Sequence, residues 1–298
     1  MRRWLSTVAL CGVAAMVLTG CGNPAGVDGN LTDDWAAIGE PEQFIPAADT
    51  CHPRFNQVGY LSSYQPVDCD QEHEVETVHL GTFTGDAAGR TSLPAAGSPD
   101  RRAAWNECHT KANEILGADW RTARLSLALV LPSPAAWTGG ARWFRCDLGE
   151  VKSLDDQDTV SRTGSLKGAL TGSSPLSYGC FNPKFSKGDE YVDEMVAIAC
   201  NKPHHSEFVG IYTAPDTTYQ AFSKDNDSIH RGCLGVVASY AKLPNNSDMK
   251  YRTGTIYYTP NEDEWKLGDR GVKCFLWRSD RKLTRSVKGA GSKTLPVS

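Results

Sequence analysis

The stretch Pro132-Ser-Pro-Ala-Ala-Trp137-Thr-Gly-Gly140-Ala-Arg142-Trp-Phe-Arg-Cys146 returns later as Pro260-Asn-Glu-Asp-Glu-Trp265-Lys-Leu-Gly268-Asp-Arg270-Gly-Val-Lys-Cys274. Both read Pro-x4-Trp-x2-Gly-x-Arg-x3-Cys. Trp and Cys are rare residue types, so coincidence is a poor explanation. Upstream, Cys69-x3-His73-x2-Glu76 is matched by Cys200-x3-His204-x2-Glu207. Eight cysteines follow the same rhythm: Cys51, Cys69, Cys108 and Cys146, then Cys180, Cys200, Cys233 and Cys274. Their spacings are 18, 39 and 38, then 20, 33 and 41. The chain therefore reads as two copies of one unit, residues 51–148 and 180–277, joined by a linker at 149–179.

Each unit carries the same pattern. The β-branched run Val75 to Phe83 reads as a strand, with Phe208 to Thr213 as its counterpart. Ala104, Cys108, Ala112 and Leu116 recur at helical spacing, with Asp100 as the expected N-cap and Gly117 as the stop. A second helix is expected from about Ser228 to Tyr240. Leu125 to Leu131 and Gly254 to Thr259 read as strands that end at the repeated proline. Final strands follow at Arg142–Leu148 and Arg270–Trp277. The predicted class is α+β: two tandem homologous domains, each an antiparallel sheet with one main helix, stapled by disulfides.

Ahead of the first unit, Met1-Arg2-Arg3 leads into a short apolar run, Leu5 to Leu18, and then Leu18-Thr-Gly-Cys21. Residues 1–20 read as a signal peptide, too short for a comfortable membrane span. The Leu-Thr-Gly-Cys ending resembles the lipobox of bacterial lipoproteins. That resemblance implies acylation of Cys21 and a chain held at the extracytoplasmic face of the cell membrane, with residues 21–50 as a tether. Residues 278–298 carry six Lys and Arg against Asp280, and read as a basic, mobile C-terminal tail able to touch anionic polymers.

Outside the cytosol, eight cysteines are expected to pair. If both units close on themselves alike, three pairings remain. The nested one is favoured, because domain ends often lie close together. It joins Cys51 to Cys146, Cys69 to Cys108, Cys180 to Cys274 and Cys200 to Cys233.

The full chain has 298 residues, 31 Lys and Arg, 35 Asp and Glu, a formal charge of −4 and 40% hydrophobic residues. That balance excludes wholesale disorder, a polytopic membrane protein and a strongly basic nucleic-acid binder.

Together these motifs resemble the septum-formation domain family of actinobacterial envelope proteins. That family's pattern has Cys-x2-Pro-His-x2-Glu; Pro203 obeys it, whereas the first unit has Glu72 there. The resemblance implies an exported or membrane-tethered protein linked to cell division or envelope assembly.

Two residue sets are candidate binding sites. His73 with Glu76 and His204 with Glu207 suit a metal or ligand site. However, positions i and i+3 of a strand face opposite ways, and zinc wants three or four ligands, so a structural role is favoured. Trp137 with Arg142 and Trp265 with Arg270 would suit aromatic stacking beside a guanidinium. Their alternative is a core plug at a turn, favoured because both copies keep it.

Other motifs are weaker. Ser239-x-x-Lys242 with Arg252-Thr-Gly254 mimics penicillin-binding enzymes at the wrong spacing. Cys108-His109 offers no nucleophile if the sulfur is paired. Asp225-Asn-Asp227 lacks the distal Glu of a calcium loop.

The expected function is binding or scaffolding at the envelope with no chemistry of its own. No cofactor, metal or nucleic acid is expected, and the partner would be an envelope protein or polymer. The groove between the units is the expected partner site. The alternative is an envelope hydrolase or metal-dependent enzyme using His204, His205 and Glu207.

Overall fold

A computed structural model describes residues 43–186 and 191–297. The signal peptide, Cys21 and the tether up to residue 42 lie outside the described residues. The first repeat runs β1 (Thr50–His52), β2 (Val58–Gly59), β3 (Val75–Thr82), α1 (Gly85–Ala88), α2 (Pro99–Leu116), β4 (Leu125–Pro132), α3 (Pro134–Thr138) and β5 (Trp143–Glu150). The second runs β6 (Cys180–Phe185), β7 (Val192–Ile198), β8 (Ser206–Thr213), α4 (Tyr219–Phe222), α5 (Asn226–Ala241), α6 (Met249–Arg252), β9 (Gly254–Tyr258), α7 (Glu262–Leu267) and β10 (Gly271–Trp277).

The first sheet has the order β1-β3-β5-β4-β2 and the second β7-β6-β8-β10-β9. Strands β6, β8, β10 and β9 thus repeat β1, β3, β5 and β4. Pairing is antiparallel except where the short β2 lies parallel to the end of β4. The α+β class with two disulfide-stapled sheet-and-helix units is what the sequence predicted.

Helix α2 begins because Pro99 sits at its first turn, with φ already suitable, and because Ser98 accepts from the Arg101 N–H. Ser98, not the expected Asp100, is the cap. Gly117 ends the helix at φ 84°, a left-handed position that glycine takes without penalty. Helix α5 buries Ile229, Cys233, Val237 and Ala241, one residue per turn on one face. Each long helix covers one face of its own sheet and forms a separate core.

The nested disulfide pairing is incorrect. The bridges are Cys51–Cys69, Cys108–Cys146, Cys180–Cys200 and Cys233–Cys274. Strand order gives the reason. Strand β1 lies on one flank of β3 and β5 on the other, so Cys51 and Cys146 are two strand spacings apart, about 10 Å. A disulfide tolerates Cα separations only to about 7 Å. Cys146 instead sits beneath α2, and its partner is Cys108, 5.2 Å away between Cα atoms.

The linker and tail are also unlike the sequence expectation. Leu154, Leu166, Leu170 and Leu176 from the linker are buried, as are Leu283, Val287 and Leu295 from the tail. Both segments close a core. Their sequences explain it: Thr163-Gly-Ser-Leu-Lys-Gly-Ala169 is repeated as Thr284-Arg-Ser-Val-Lys-Gly-Ala290. The tail's Arg281, Lys282, Arg285, Lys288 and Lys293 remain on the surface.

Between the repeats, the Arg121 guanidinium bridges Asp119 at 2.7 Å and Asp269 at 2.9 Å. Asp155 of the linker accepts from the Met195 N–H and the Tyr258 hydroxyl. The expected groove between the units is largely filled by these contacts, leaving a cleft of about 300 Å³ along Arg124, Asp155 and Tyr178.

Two outcomes follow. Non-reducing peptide mapping should recover Cys51 joined to Cys69 and Cys180 joined to Cys200; peptides linking Cys51 to Cys146 would contradict the strand order. Truncation after Ser279 strips Leu283, Val287 and Leu295 from the second core. At roughly 1.5–3 kcal/mol for each buried side chain, it should lower the urea midpoint sharply or abolish folding, and an unchanged midpoint would refute the packed tail.

Candidate functional site

The repeated His and Glu residues build a clamp. His73 lies in the turn before β3, where the rule of strand alternation does not operate. Its backbone exchanges two hydrogen bonds with Arg162, at 2.9 and 2.8 Å, and its Nδ1 lies 2.8 Å from the Gln71 carbonyl. His204 does the same with Leu283 and the Lys202 carbonyl. Glu76 accepts from the Ser165 hydroxyl at 2.7 Å and the Leu166 N–H at 2.6 Å. Glu207 accepts from the Ser286 hydroxyl and from the Val287 N–H at 2.9 Å. It has a third donor, the Tyr240 hydroxyl at 2.6 Å. Burial and that carboxylate push the Tyr240 phenol above its ordinary range.

These residues do not assemble a metal set. His205 is turned to the Arg278 carbonyl at 2.7 Å, and His79 to Glu107 at 2.6 Å. Among the described residues, the close ligand groups are Cys51, Cys69 and Glu76, and Cys180, Cys200 and Glu207. Both pairs of sulfurs are consumed by disulfides. The set His204, His205 and Glu207 is likewise not brought to one point.

Trp137 and Trp265 are buried plugs. The Trp137 indole donates to the Arg90 carbonyl and that of Trp265 to the Thr217 carbonyl. Arg142 and Arg270 stack on them, 4.3 and 3.9 Å from the ring centroids. Each guanidinium also holds the tryptophan's own carbonyl at 2.7 Å. The motif glycine has φ 100° at Gly140 and 111° at Gly268, which explains why it recurs. Indole and guanidinium are thus engaged with their own corner.

What differs between the copies is on the opposite face of each sheet. In the first repeat, His52, Thr77, Arg145 and Asp147 are all buried there. Thr77 donates to Asp147 at 2.8 Å, and Arg145 donates to the other carboxylate oxygen at 2.7 Å. His52 Nε2 lies 3.2 Å from the Thr77 hydroxyl. The strand register puts Phe181, Phe208, Lys273 and Phe275 at the equivalent positions of the second repeat. There the three phenylalanines pack at 5.4 Å centroid spacing, under Tyr178.

This polar group was not among the residues singled out by motif. Its signal was the alternation Arg145-Cys146-Asp147-Leu148, charged and apolar by turns in a strand whose second copy reads Lys273-Cys-Phe-Leu276. The group is no nucleophile–base relay. Thr77 has no solvent exposure, and its proton is directed at Asp147. Burial pushes the Asp147 carboxyl up, against the pull of Arg145.

Two open concavities lie elsewhere on the repeats. One, of about 780 Å³, lies beside Glu76 in the first repeat, between Asp49, Asp68, Gln71, Ile115 and Lys167. The other, of about 380 Å³, lies in the second repeat against Pro183, Phe185, His205 and Trp277. Neither was visible as a motif, because each is assembled from segments distant in sequence.

A sequence model described as Septum formation matches residues 48–274, a span that takes in all eight paired cysteines. The chain belongs to the septum formation family. No curated protein and no solved structure matches it. In this chain the paired cysteines, the clamp and the tryptophan corner are architecture.

Burial, then the Arg145 charge, then His73 hold the His52 imidazole down from 6.5 to about 4. The folded protein binds this proton less readily than the unfolded chain. Stability should therefore be full above pH 6.5 and fall as pH drops towards 4, by roughly 3 kcal/mol in the limit. Subtracting the melting curve of a His52→Asn variant should isolate this loss; parallel curves through that window would show that His52 is not held neutral.

Proposed function

We propose that this member of the septum formation family is a lipid-anchored, extracytoplasmic binding or scaffolding protein of the cell envelope, without chemistry of its own. The observation that carries this reading is a division of labour. The repeated cysteines, glutamates, tryptophans and arginines are engaged in disulfide, backbone or core contacts. Each larger concavity also has a lining residue that the other copy does not repeat, Ile115 in one and His205 in the other.

A cleft of about 780 Å³ is within the range that encloses small ligands or a side-chain cluster of a partner, roughly 300–1,000 Å³. Attachment in this reading is through acylated Cys21, the cysteine of the Leu-Thr-Gly-Cys motif. The surface cations of the tail, Arg281 to Lys293, add affinity for anionic envelope polymers or headgroups. The partner is an envelope protein or polymer.

Cys21→Ala should move the protein from the membrane fraction to the soluble fraction of the producing cell. A photo-crosslinker at position 167, on the cleft's rim, should capture one discrete envelope component. Continued membrane retention of the variant would remove the anchor, and an empty crosslinking pattern would remove the binding role.

A further inference from the structure

The two clamps are the same except at one atom. Glu207 is satisfied by three donors, the Ser286 hydroxyl, the Val287 N–H and the Tyr240 hydroxyl. Glu76 has the first two equivalents only, Ser165 and Leu166. The disulfides fix the helix register: Cys108 on α2 corresponds to Cys233 on α5, which puts Ile115 at the place of Tyr240. The closing segments agree, since Gly168 N–H bonds the Ile115 carbonyl as Gly289 N–H bonds the Tyr240 carbonyl. The phenol that completes the second clamp is therefore missing from the first, and its place is open to the large cleft, which both Ile115 and Glu76 line.

We propose that this cleft binds a saccharide or similar neutral polyhydroxylated ligand, one hydroxyl of which donates to Glu76 where Tyr240 donates to Glu207. The inference rests on the binding role above and names its chemistry. Glu76 is 5% exposed and forms no ion pair among the described residues, so its remaining lone pairs are a fixed acceptor at the cleft floor. Its homologue is satisfied by neutral donors alone, which favours a hydroxyl over an ammonium. Around it, Asp49 and Asp68 bring carboxyl oxygens that accept hydrogen bonds, and Gln71 both donates and accepts. Such a wall suits a ligand rich in O–H donors. Ile115 offers an apolar surface for the C–H face of a sugar ring, and Lys167 a donor to ring or glycosidic oxygens.

The second repeat supplies the decisive variant. Ile115→Tyr should occupy the part of the cleft beside Glu76 and give Glu76 its third donor, leaving the fold intact. Purified full chain should be probed on an array of neutral hexose and N-acetylhexosamine oligomers, with the best binder then titrated by calorimetry. At least one neutral glycan should bind, and Ile115→Tyr should weaken it tenfold or more with an undiminished melting temperature. Free lysine should not compete. Three results would overturn the proposal: no neutral glycan retained, binding unchanged in Ile115→Tyr, or displacement by lysine. If the array is empty while a crosslinker at position 167 still captures a protein, the binding role stands and only the saccharide assignment falls.

Discussion

Each repeat depends on one buried carboxylate. Glu76 and Glu207 lie on β3 and β8, and each accepts a serine hydroxyl and the following backbone N–H from a segment about ninety or eighty residues later. Burying a carboxylate costs several kcal/mol unless its lone pairs are occupied. The closing segment supplies that occupation. In return its leucines or valine enter the core, and its N–H groups bond the last carbonyls of the long helix, Ile115 and Leu116 or Tyr240 and Ala241. Those carbonyls would otherwise be unsatisfied. An inner strand, a helix end and the closing segment are thereby tied through one side chain.

The legible parts of this fold were those written as short, rigid patterns. The Trp-x2-Gly-x-Arg corner, the helical spacing around Cys108 and the β-branched strands each depend on local chemistry, and the structure places them as elements. Strand order was illegible, and with it the disulfide partners. Cys51 and Cys146 bound the unit in sequence, yet β3 stands between their strands. The closing segments were misread for a different reason. Thr163 to Ala169 and Thr284 to Ala290 are polar, glycine-containing and short, so composition alone resembles a linker and a tail. Only their mutual likeness betrays them, and their apolar content, Leu166 and Val287, is a single residue each. The polar group around Asp147 and the cleft beside Glu76 required the register of strands and the place of a helix end, neither of which a single sequence supplies.

The outer faces of the two sheets show what duplication allowed. The second sheet turns Phe181, Phe208 and Phe275 outward, and this apolar face is covered by Leu154 and Tyr178 of the linker. Were the first sheet to keep the same aromatic face, it would present an uncovered surface fit for another copy, and head-to-tail association would not close. Instead it holds a buried ionic group beside Phe44 and Tyr64, whose rings lie 4.8 Å apart. The Trp143 indole donates to the Phe44 carbonyl. The His52, Thr77, Arg145 and Asp147 group thus takes the place that an aromatic cluster holds in the second repeat. The cost is a buried polar group in which His52, held neutral, loses stability as acid protonates it; the gain is a sheet face with no aromatic cluster to leave uncovered.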